Sequence, residues 1–255
     1  MADLFPDLCE DDDVPERPGP PGSRISGQLH GGTLDDVGSR VVGGALAPGA
    51  VLTLDRLSHE YAVSVSVARE VVRVLESMGM VTSRRRVGVT VLDRTHWNVF
   101  DPRLIRWRLA SSDRGAQLQS LSQLRRGFEP VAASLAASAA TSEQCGTLAR
   151  AVSDMVVHGH SGDLEAYLVA DVSFHRTLLE ASGNEMFGSL GDVVAEVLAG
   201  RTHHGLMPDR PNPEAIALHD TVARAVRTGD AKEAGRAMRE LIEEAAEAMS
   251  VELDG

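Results

Sequence analysis

The chain has 255 residues, of which 43% are hydrophobic, 24% are charged and only 4% are aromatic. These values are close to those of ordinary globular proteins, and they exclude collagen-like, coiled-coil and wholly disordered chains. The net charge of −12 is unevenly distributed, with −6 in residues 1–22, +2 in residues 23–95 and −8 in the remainder, so residues 23–95 form the one positive segment available to a nucleic acid.

No membrane span or secretory signal is expected. The longest uncharged stretches, residues 41–54 and 130–142, are shorter than the roughly 18–20 apolar residues that cross a bilayer, and they contain Pro, Gly or Ser. The first residues lack the basic and apolar regions of a signal peptide. With only Cys9 and Cys145 as cysteines, the chain is expected in a reducing cytoplasm.

Residues 1–28 are predicted to form a disordered acidic leader. They contain the acidic run 10–13, and a Pro-rich and Gly-rich stretch follows it. Such a segment cannot bury enough apolar surface to fold. A solvated tail is the simpler interpretation, and an acidic arm that mimics DNA phosphates is the alternative.

Three short helices are predicted after the leader. Apolar residues recur at helical spacing after Thr33, a candidate N-cap, and this helix ends at residues 47–49, which read Ala-Pro-Gly. Thr53 is a candidate cap for a second helix, and Ser64 or Ser66 for a third. One side of the third helix is apolar and suited to packing, whereas Ser66, Arg69 and Arg73 occupy the other side.

A basic hairpin is predicted next. Residues 81–91 contain two short runs rich in β-branched residues, and three consecutive arginines lie between them. Three helices followed by a hairpin indicate a winged helix-turn-helix domain over residues 29–95. A helix fits the DNA major groove, where base edges can be distinguished, while a basic wing adds salt-dependent contacts to phosphates. The predicted DNA-binding residues are Ser64, Ser66, Arg69, Arg73, Arg84, Arg85, Arg86 and Gly88.

Residues 96–252 are predicted to form an antiparallel all-helical bundle with ligand-binding and dimerisation roles. Several polar residues face inward at 100° per residue: Asp171 and His175 share the stripe of Leu168, and His219 shares that of Ile216. Arg125 borders another apolar stripe, and Arg201 lies on or just past a third. Buried charges need one another or a ligand to offset their desolvation, so a polar cavity is expected. Histidines satisfied within the core and a metal site are both compatible with this pattern.

The N-terminal segment contains a set of residues with a familiar order: Pro48-Gly49, Leu57, Val63-Ser64, Ser66, Arg69-Glu70, Leu75, Gly79 and Gly88 to Val91. With these residues it resembles the DNA-binding domain of GntR-family bacterial transcription regulators. Val65 departs from the family pattern, because an arginine that often reads bases usually stands there.

The C-terminal segment contains, in this order, Leu124-Arg125, Glu129-Pro130, Ala132 to Ala140, Asp171 to His175, Ser182 to Asn184, His219, Gly229-Asp230 and Ala237 to Arg239. With these residues it resembles the FCD effector domain of the FadR-type subfamily. Many such domains hold a divalent metal such as zinc on one aspartate and three histidines. The resemblance therefore implies Asp171, His175 and His219 as metal ligands, whereas Leu241 stands where the last histidine is expected, and His203 or His204 is a possible substitute.

The linker over residues 97–107 further resembles regulators of sugar-acid catabolism, such as those of galactonate and gluconate. This similarity favours a small hydroxylated carboxylate as effector, because a fatty acyl chain would need an apolar tunnel. We expect Arg125 to hold the carboxylate in a bidentate fork. The predicted effector-binding residues are Arg125, Asp171, His175, Asn184, Arg201 and His219.

These features favour a homodimeric regulator, a repressor whose affinity for operator DNA is controlled by a small carboxylate. An enzyme is not expected, because the sequence contains no nucleophile elbow, phosphate-binding loop or His-Glu-x-x-His motif. The alternatives are a metal-dependent hydrolase or lyase that uses Asp171, His175 and His219, and a regulator that senses metal alone.

Overall fold

The predicted mainly helical fold is confirmed by the computed structural model, which describes the backbone of residues 21–254 and the side chains of residues 31–248. Residues 1–20 of the predicted leader lie outside the described part. The N-terminal elements are α1 (Pro21–Val42), β1 (Val51–Leu52), α2 (Leu54–Glu60), α3 (Val65–Ser77), β2 (Val81–Arg84) and β3 (Gly88–Val91). The C-terminal helices are α4 (Pro102–Leu109), α5 (Arg114–Ala139), α6 (Ser142–Ser161), α7 (Leu164–Ala181), α8 (Glu185–Gly188), α9 (Gly191–His203), α10 (Pro213–Thr228) and α11 (Ala231–Asp254).

The start of the first helix was predicted wrongly. Helix α1 begins at Pro21, so Thr33 lies inside the helix and is buried, and residues 21–28 belong to α1 and not to the leader. The adjacent Gly31 and Gly32 resemble a helix break in the sequence, but glycine costs a helix only about 1 kcal/mol and does not end it. The caps of the next two helices follow the expected chemistry: Thr53 Oγ1 accepts from the backbone of Arg56, and Ser64 Oγ accepts from that of Val67.

The predicted hairpin belongs to a three-stranded antiparallel sheet in the order β1-β3-β2. Strand β1 was not predicted, because two residues carry no alternation that a pattern can detect. Gly88 allows this strand to approach β3: its φ is +109°, and a Cβ there would lie 2.7 Å from the carbonyl oxygen of Leu52. This backbone requirement explains the glycine without any contact to DNA.

Helix α4 packs against both the N-terminal and the C-terminal core. Its Leu104 and Trp107 belong to the N-terminal core, whereas Ile105 and Leu109 belong to a cluster with α5 and α9. The Trp107 ring lies on Gly38 of α1, and its Nε1 donates to Asp35 Oδ1 at 3.0 Å. The chain beyond the predicted boundary at residue 95 therefore contributes to both cores.

The remaining helices form the C-terminal bundle, in which α5 packs along α11, α6 along α7, and α10 against α6 and α11. The helical spacing predicts one apolar stripe on α5, but this stripe does not hold over the whole helix. Its expected members are Leu121, Leu124, Phe128, Val131 and Leu135. Leu121 and Phe128 are buried, but Val131 and Leu135 are 49% and 41% exposed. The helical period rotates the stripe, and Arg125 and Glu129 take inward positions instead. Among the described helices, none combines the length and the apolar composition needed to cross a membrane.

The Trp107–Gly38 contact gives a stability prediction. Gly38→Ala would place a methyl group against the Trp107 ring, so we expect a loss of about 1–3 kcal/mol from overpacking. Gly32→Ala is the matched control in the same helix, because its Cβ would meet nothing within 4 Å and alanine is the better helix former. Urea unfolding followed by tryptophan fluorescence measures both variants, and equal stabilities would show that the contact tolerates an extra methyl group.

Candidate functional site: nucleic-acid interface and ligand cavity

The third helix presents an exposed polar face. Ser66, Arg69 and Arg73 are exposed, and the opposite face packs into the N-terminal core through residues such as Val71 and Leu75. Arg73 lies 3.1 Å from Glu70, whereas Arg69 makes no side-chain hydrogen bond or ion pair with any described residue. The face therefore offers an uncommitted guanidinium to an external partner.

The wing places three further arginines beside this helix. Arg84, Arg85 and Arg86 are all exposed at the turn between β2 and β3, where Val87 N donates to Arg84 O at 3.1 Å. Within the described part of the chain these three side chains also form no ion pair or hydrogen bond. Because the side chain of Glu76 on α3 accepts from the backbone N–H of Ser83 on β2, a hydrogen bond connects α3 directly to the wing. The surface has the charge and shape of a nucleic-acid interface.

A second candidate site lies inside the bundle, at a cavity of about 180 Å³. Helices α5, α7, α9, α10 and α11 and the loop that precedes α10 surround it. Five of the six residues predicted to bind an effector line it, namely Arg125, Asp171, His175, Arg201 and His219. The same five side chains are all buried, so the structure brings charged groups from four helices into one enclosed space.

Asp171, His175 and His219 form one cluster, with candidate ligand atoms within 4.8 Å of one another. Asp171 Oδ1 lies 3.3 Å from His175 Nε2 and 3.2 Å from His219 Nε2. The outer ring nitrogens are engaged elsewhere: His175 Nδ1 is 2.7 Å from Glu129 Oε2, and His219 Nδ1 is 2.7 Å from Ala215 O. We assign a proton to each Nδ1 because its contact of 2.7 Å is shorter than the 3.2–3.3 Å contacts of Nε2, and because its partner oxygen can only accept.

This arrangement suits a cation. With Nδ1 protonated, each Nε2 directs a lone pair toward a carboxylate oxygen, and among the described residues only His175 Nε2 has a further donor nearby, Arg125 Nη2 at 3.5 Å. A proton or a metal ion between these acceptors would remove their repulsion. A second ring nitrogen held by a carboxylate or a carbonyl is also typical of metal-bound histidine. Burial opposes ionisation of both partners, yet the nearby carboxylates raise the pKa of His175, and the histidines hold the pKa of Asp171 well below its usual range.

Glu129, which is fully buried, was missed as a site residue in the sequence analysis. Its Oε1 accepts from Arg125 Nε, and its Oε2 lies 2.7 Å from His175 Nδ1. Burial alone would raise its pKa, but the charges of Arg125 and His175 lower it to about 2. The i, i+4 spacing from Arg125 was the available signal, because it places the two side chains on one helix face.

Arg201 differs from Arg125 in its contacts, because none of the described residues pairs with it directly. It is 8% exposed, and among the described residues its side chain makes no hydrogen bond or ion pair, with Nε an orphaned buried donor. Burial lowers its pKa. Tyr167, one helical turn before Asp171, also lines the cavity, and its hydroxyl makes no hydrogen bond to a described residue.

The structure places three predicted candidates away from the cavity. Asn184 does not line it; its Oδ1 accepts from Met186 N at 3.0 Å and caps α8, which is what an asparagine before a helix commonly does. His203 and His204 lie at the end of α9, where His203 is exposed and 3.2 Å from Glu165 Oε1, so they do not replace the missing ligand. Leu241 does line the cavity, as the resemblance implied for its position.

Comparison with known proteins gives two family matches. A model described as "Bacterial regulatory proteins, gntR family" matches residues 34–91, and one described as "FCD domain" matches residues 120–244. The galactonate operon transcriptional repressor of Escherichia coli (strain K12) is 28% identical over 201 residues, or 77% of this chain and 87% of that protein. The uncharacterized HTH-type transcriptional regulator YieP of the same organism is 25% identical over 82% of this chain and 90% of that protein.

A solved structure supports the fold. The structure of Lar, which controls the expression of the Listeria monocytogenes agr system, aligns with a TM-score of 0.54 at 17% identity, covering 89% of this chain and 97% of that one. At this level of identity the likeness concerns the fold alone.

The buried ion pair between Arg125 and Glu129 gives a second stability prediction. Glu129→Gln would leave the buried charge of Arg125 uncompensated, so we expect a loss of about 3–5 kcal/mol in urea unfolding followed by circular dichroism. Glu165→Gln is the matched control, because Glu165 is exposed and should change stability by no more than about 0.5 kcal/mol.

The double variant Arg125→Met with Glu129→Leu tests whether the uncompensated charge of Arg125 causes the loss of stability. It removes both charges together, so it should be more stable than Glu129→Gln alone. If the double variant were the less stable of the two, the uncompensated charge would not be the cause of the loss.

Proposed function

The chain belongs to the GntR family of bacterial transcriptional regulators and carries a C-terminal FCD domain, and we propose from this that it is a homodimeric repressor controlled by a sugar acid. The family and the similar proteins are regulators and not enzymes, so the hydrolase or lyase alternative does not apply. In this proposal a small hydroxylated carboxylate, such as gluconate or galactonate, binds in the bundle cavity and lowers the affinity for operator DNA.

The observation that carries the effector assignment is the charged lining of the cavity. A volume of about 180 Å³ is below the roughly 300–1,000 Å³ of pockets that bury drug-sized ligands, so it favours a small metabolite. Arg125, Arg201, Asp171 and the two histidines are suited to carboxylate and hydroxyl groups. The similarity to a galactonate operon repressor points in the same chemical direction.

The DNA half of the proposal follows from the exposed basic surface. Two copies of the N-terminal domain would place two α3 helices in successive major grooves of a roughly palindromic operator. Arg69 and Arg73 would contact base edges or phosphates, and Arg84, Arg85 and Arg86 would contact the flanking backbone. A coupling of about 1–3 kcal/mol between effector and operator, or roughly 5–150-fold in affinity, would suffice for a switch.

A divalent metal such as zinc fits the three-residue cluster. Asp171, His175 and His219 would hold it, since both Nε2 atoms and the carboxylate already face one another and the outer nitrogens are fixed. When bound, it would supply positive charge for effector oxygens. Leu241 contributes no ligand, so the part of the chain that the structure describes offers three donors to the metal.

We expect DNA binding to separate into a specific and a salt-dependent part. Arg69→Ala should remove most of the preference for operator over unrelated DNA, because a good base contact provides about 1–3 kcal/mol of discrimination. Neutralising the three wing arginines should weaken binding to all sequences and reduce the slope of affinity against salt by roughly one per phosphate contact. Fluorescence anisotropy on the DNA upstream of the gene measures both. Arg126→Ala, an exposed arginine of α5, is the control and should leave both quantities unchanged.

The effector proposal is tested in the same assay. Adding gluconate or galactonate at fixed salt should release the wild-type protein from its operator. Release by zinc alone, with no response to either acid, would instead favour a regulator that senses only metal, and indifference to both would contradict effector control by a sugar acid.

Metal binding has its own prediction. The purified protein should contain a stoichiometric divalent metal by elemental analysis, and His219→Ala should lose it. His203→Ala, which removes an exposed histidine outside the cavity, should retain it. A wild-type protein free of metal after purification and after zinc addition would show that the cluster is held by protons instead.

A further inference from the structure

Two arginines line the cavity, but they are not equally available to a ligand. Arg125 donates from Nε to Glu129 Oε1 and from Nη2 to Glu129 Oε2 at 3.3 Å, so one edge of its guanidinium is occupied by a buried carboxylate. Arg201 has no such partner within the described residues, and its Nε is a buried donor without an acceptor. Both are nine-tenths or more buried.

An unpaired buried guanidinium is costly. Its desolvation is offset only by an anion or by hydrogen bonds to its donors. Asp171 and Glu244 both act on Arg201 electrostatically, but neither carboxylate makes a hydrogen bond or ion pair with it. Asp171 Oδ1 faces the two histidines, and Glu244 Oε1 accepts from Asn212 Nδ2 at 2.9 Å. A planar guanidinium matches a carboxylate in a two-bond fork, so the missing partner has the chemistry of a carboxylate.

We propose that Arg201, and not Arg125, binds the carboxylate of the effector, and that helix α9 passes this contact on to helix α4. The proposal rests on the effector function proposed above and names the residue responsible for recognition. Tyr167 also lines the cavity and interacts electrostatically with Arg201, so its hydroxyl is available to a neighbouring effector hydroxyl. Arg125 is then a positioning residue that holds Glu129, which in turn holds His175.

The second half of the proposal follows from the position of Arg201 on α9. The preceding residue, Gly200, lies against α4 so closely that a Cβ would come within 2.6 Å of Leu109 Cδ1. One turn earlier, Glu196 accepts from Arg106 of α4 at 3.0 Å. Helix α4 in turn packs on α1 through Trp107. The helix that binds the carboxylate is therefore in direct contact with the helix that supports the DNA-binding domain.

Calorimetric titration of the full chain with gluconate and with glucitol tests the recognition step. Glucitol has the same carbon chain and hydroxyls but a hydroxymethyl group in place of the carboxylate. Arg201→Met should weaken gluconate binding by roughly 10–100-fold, the range for losing a charge-assisted hydrogen bond, and should leave glucitol binding unchanged. Arg201→Lys keeps the charge without the fork, so it should lose less. Arg126→Met is the matched control and should bind gluconate like the wild type.

The outcomes distinguish this proposal from the proposed function. Wild-type binding of gluconate that survives Arg201→Met and Arg201→Lys would overturn the role of Arg201 and leave effector control intact. Failure of the wild type to bind gluconate or galactonate would overturn both. Unchanged operator affinity in anisotropy shows that the variants remain folded.

The coupling step is tested with Gly200→Ala and Glu196→Gln. Each should retain gluconate affinity within about threefold, a difference of under 1 kcal/mol, while the gluconate-induced drop in operator affinity becomes smaller. Gly188→Ala, whose Cβ would meet nothing within 4 Å, is the control and should show wild-type release. Full release by both α9 variants would show that the signal does not pass through this contact.

Discussion

The carboxylate of Glu129 is the interaction on which the cavity depends. One oxygen is held by Arg125 and the other by His175, and this second contact turns the imidazole so that Nε2 faces Asp171. Without it, neither the tautomer of His175 nor the direction of Arg125 would be defined. The buried charged pair therefore fixes the orientation of the groups that line the cavity, even though burying the charges costs free energy.

Periodicity placed the polar residues of α7 and α10 on buried faces, but it failed for the second half of the α5 stripe and could not predict the contacts that the side chains make. Asp171, His175 and His219 could be placed inside from their spacing to apolar neighbours alone, and the structure brings them together. Glu129 was missed because a glutamate among apolar residues is expected to be exposed. Its buried position becomes understandable only from its pairing with Arg125. The contrast between Arg125 and Arg201 depends on three-dimensional pairing, which helical spacing does not encode.

Helix-capping residues, whose effect extends over only a few neighbouring residues, also allowed some helix starts to be predicted from the sequence. Thr53 and Ser64 cap their helices as their types predict, whereas Thr33, with the same preference, lies within α1. An N-cap preference shows that a residue can begin a helix. The residues before it determine whether the helix has already begun. Strand β1 shows the same limit, because its two residues are a strand through their pairing with β3.

Helix α4 also determines which segment can fold by itself. Since Leu104 and Trp107 complete the N-terminal core and Ile105 and Leu109 begin the next one, the two cores share a structural element. Cooperative units of unfolding follow shared packing more closely than they follow boundaries drawn on a sequence. A DNA-binding module excised at residue 95 would leave part of its own core behind. If the N-terminal domain were exchanged between related proteins, α4 would have to be transferred together with it. The C-terminal domain that receives it would need a residue as small as Gly200 at the position that packs against Leu109.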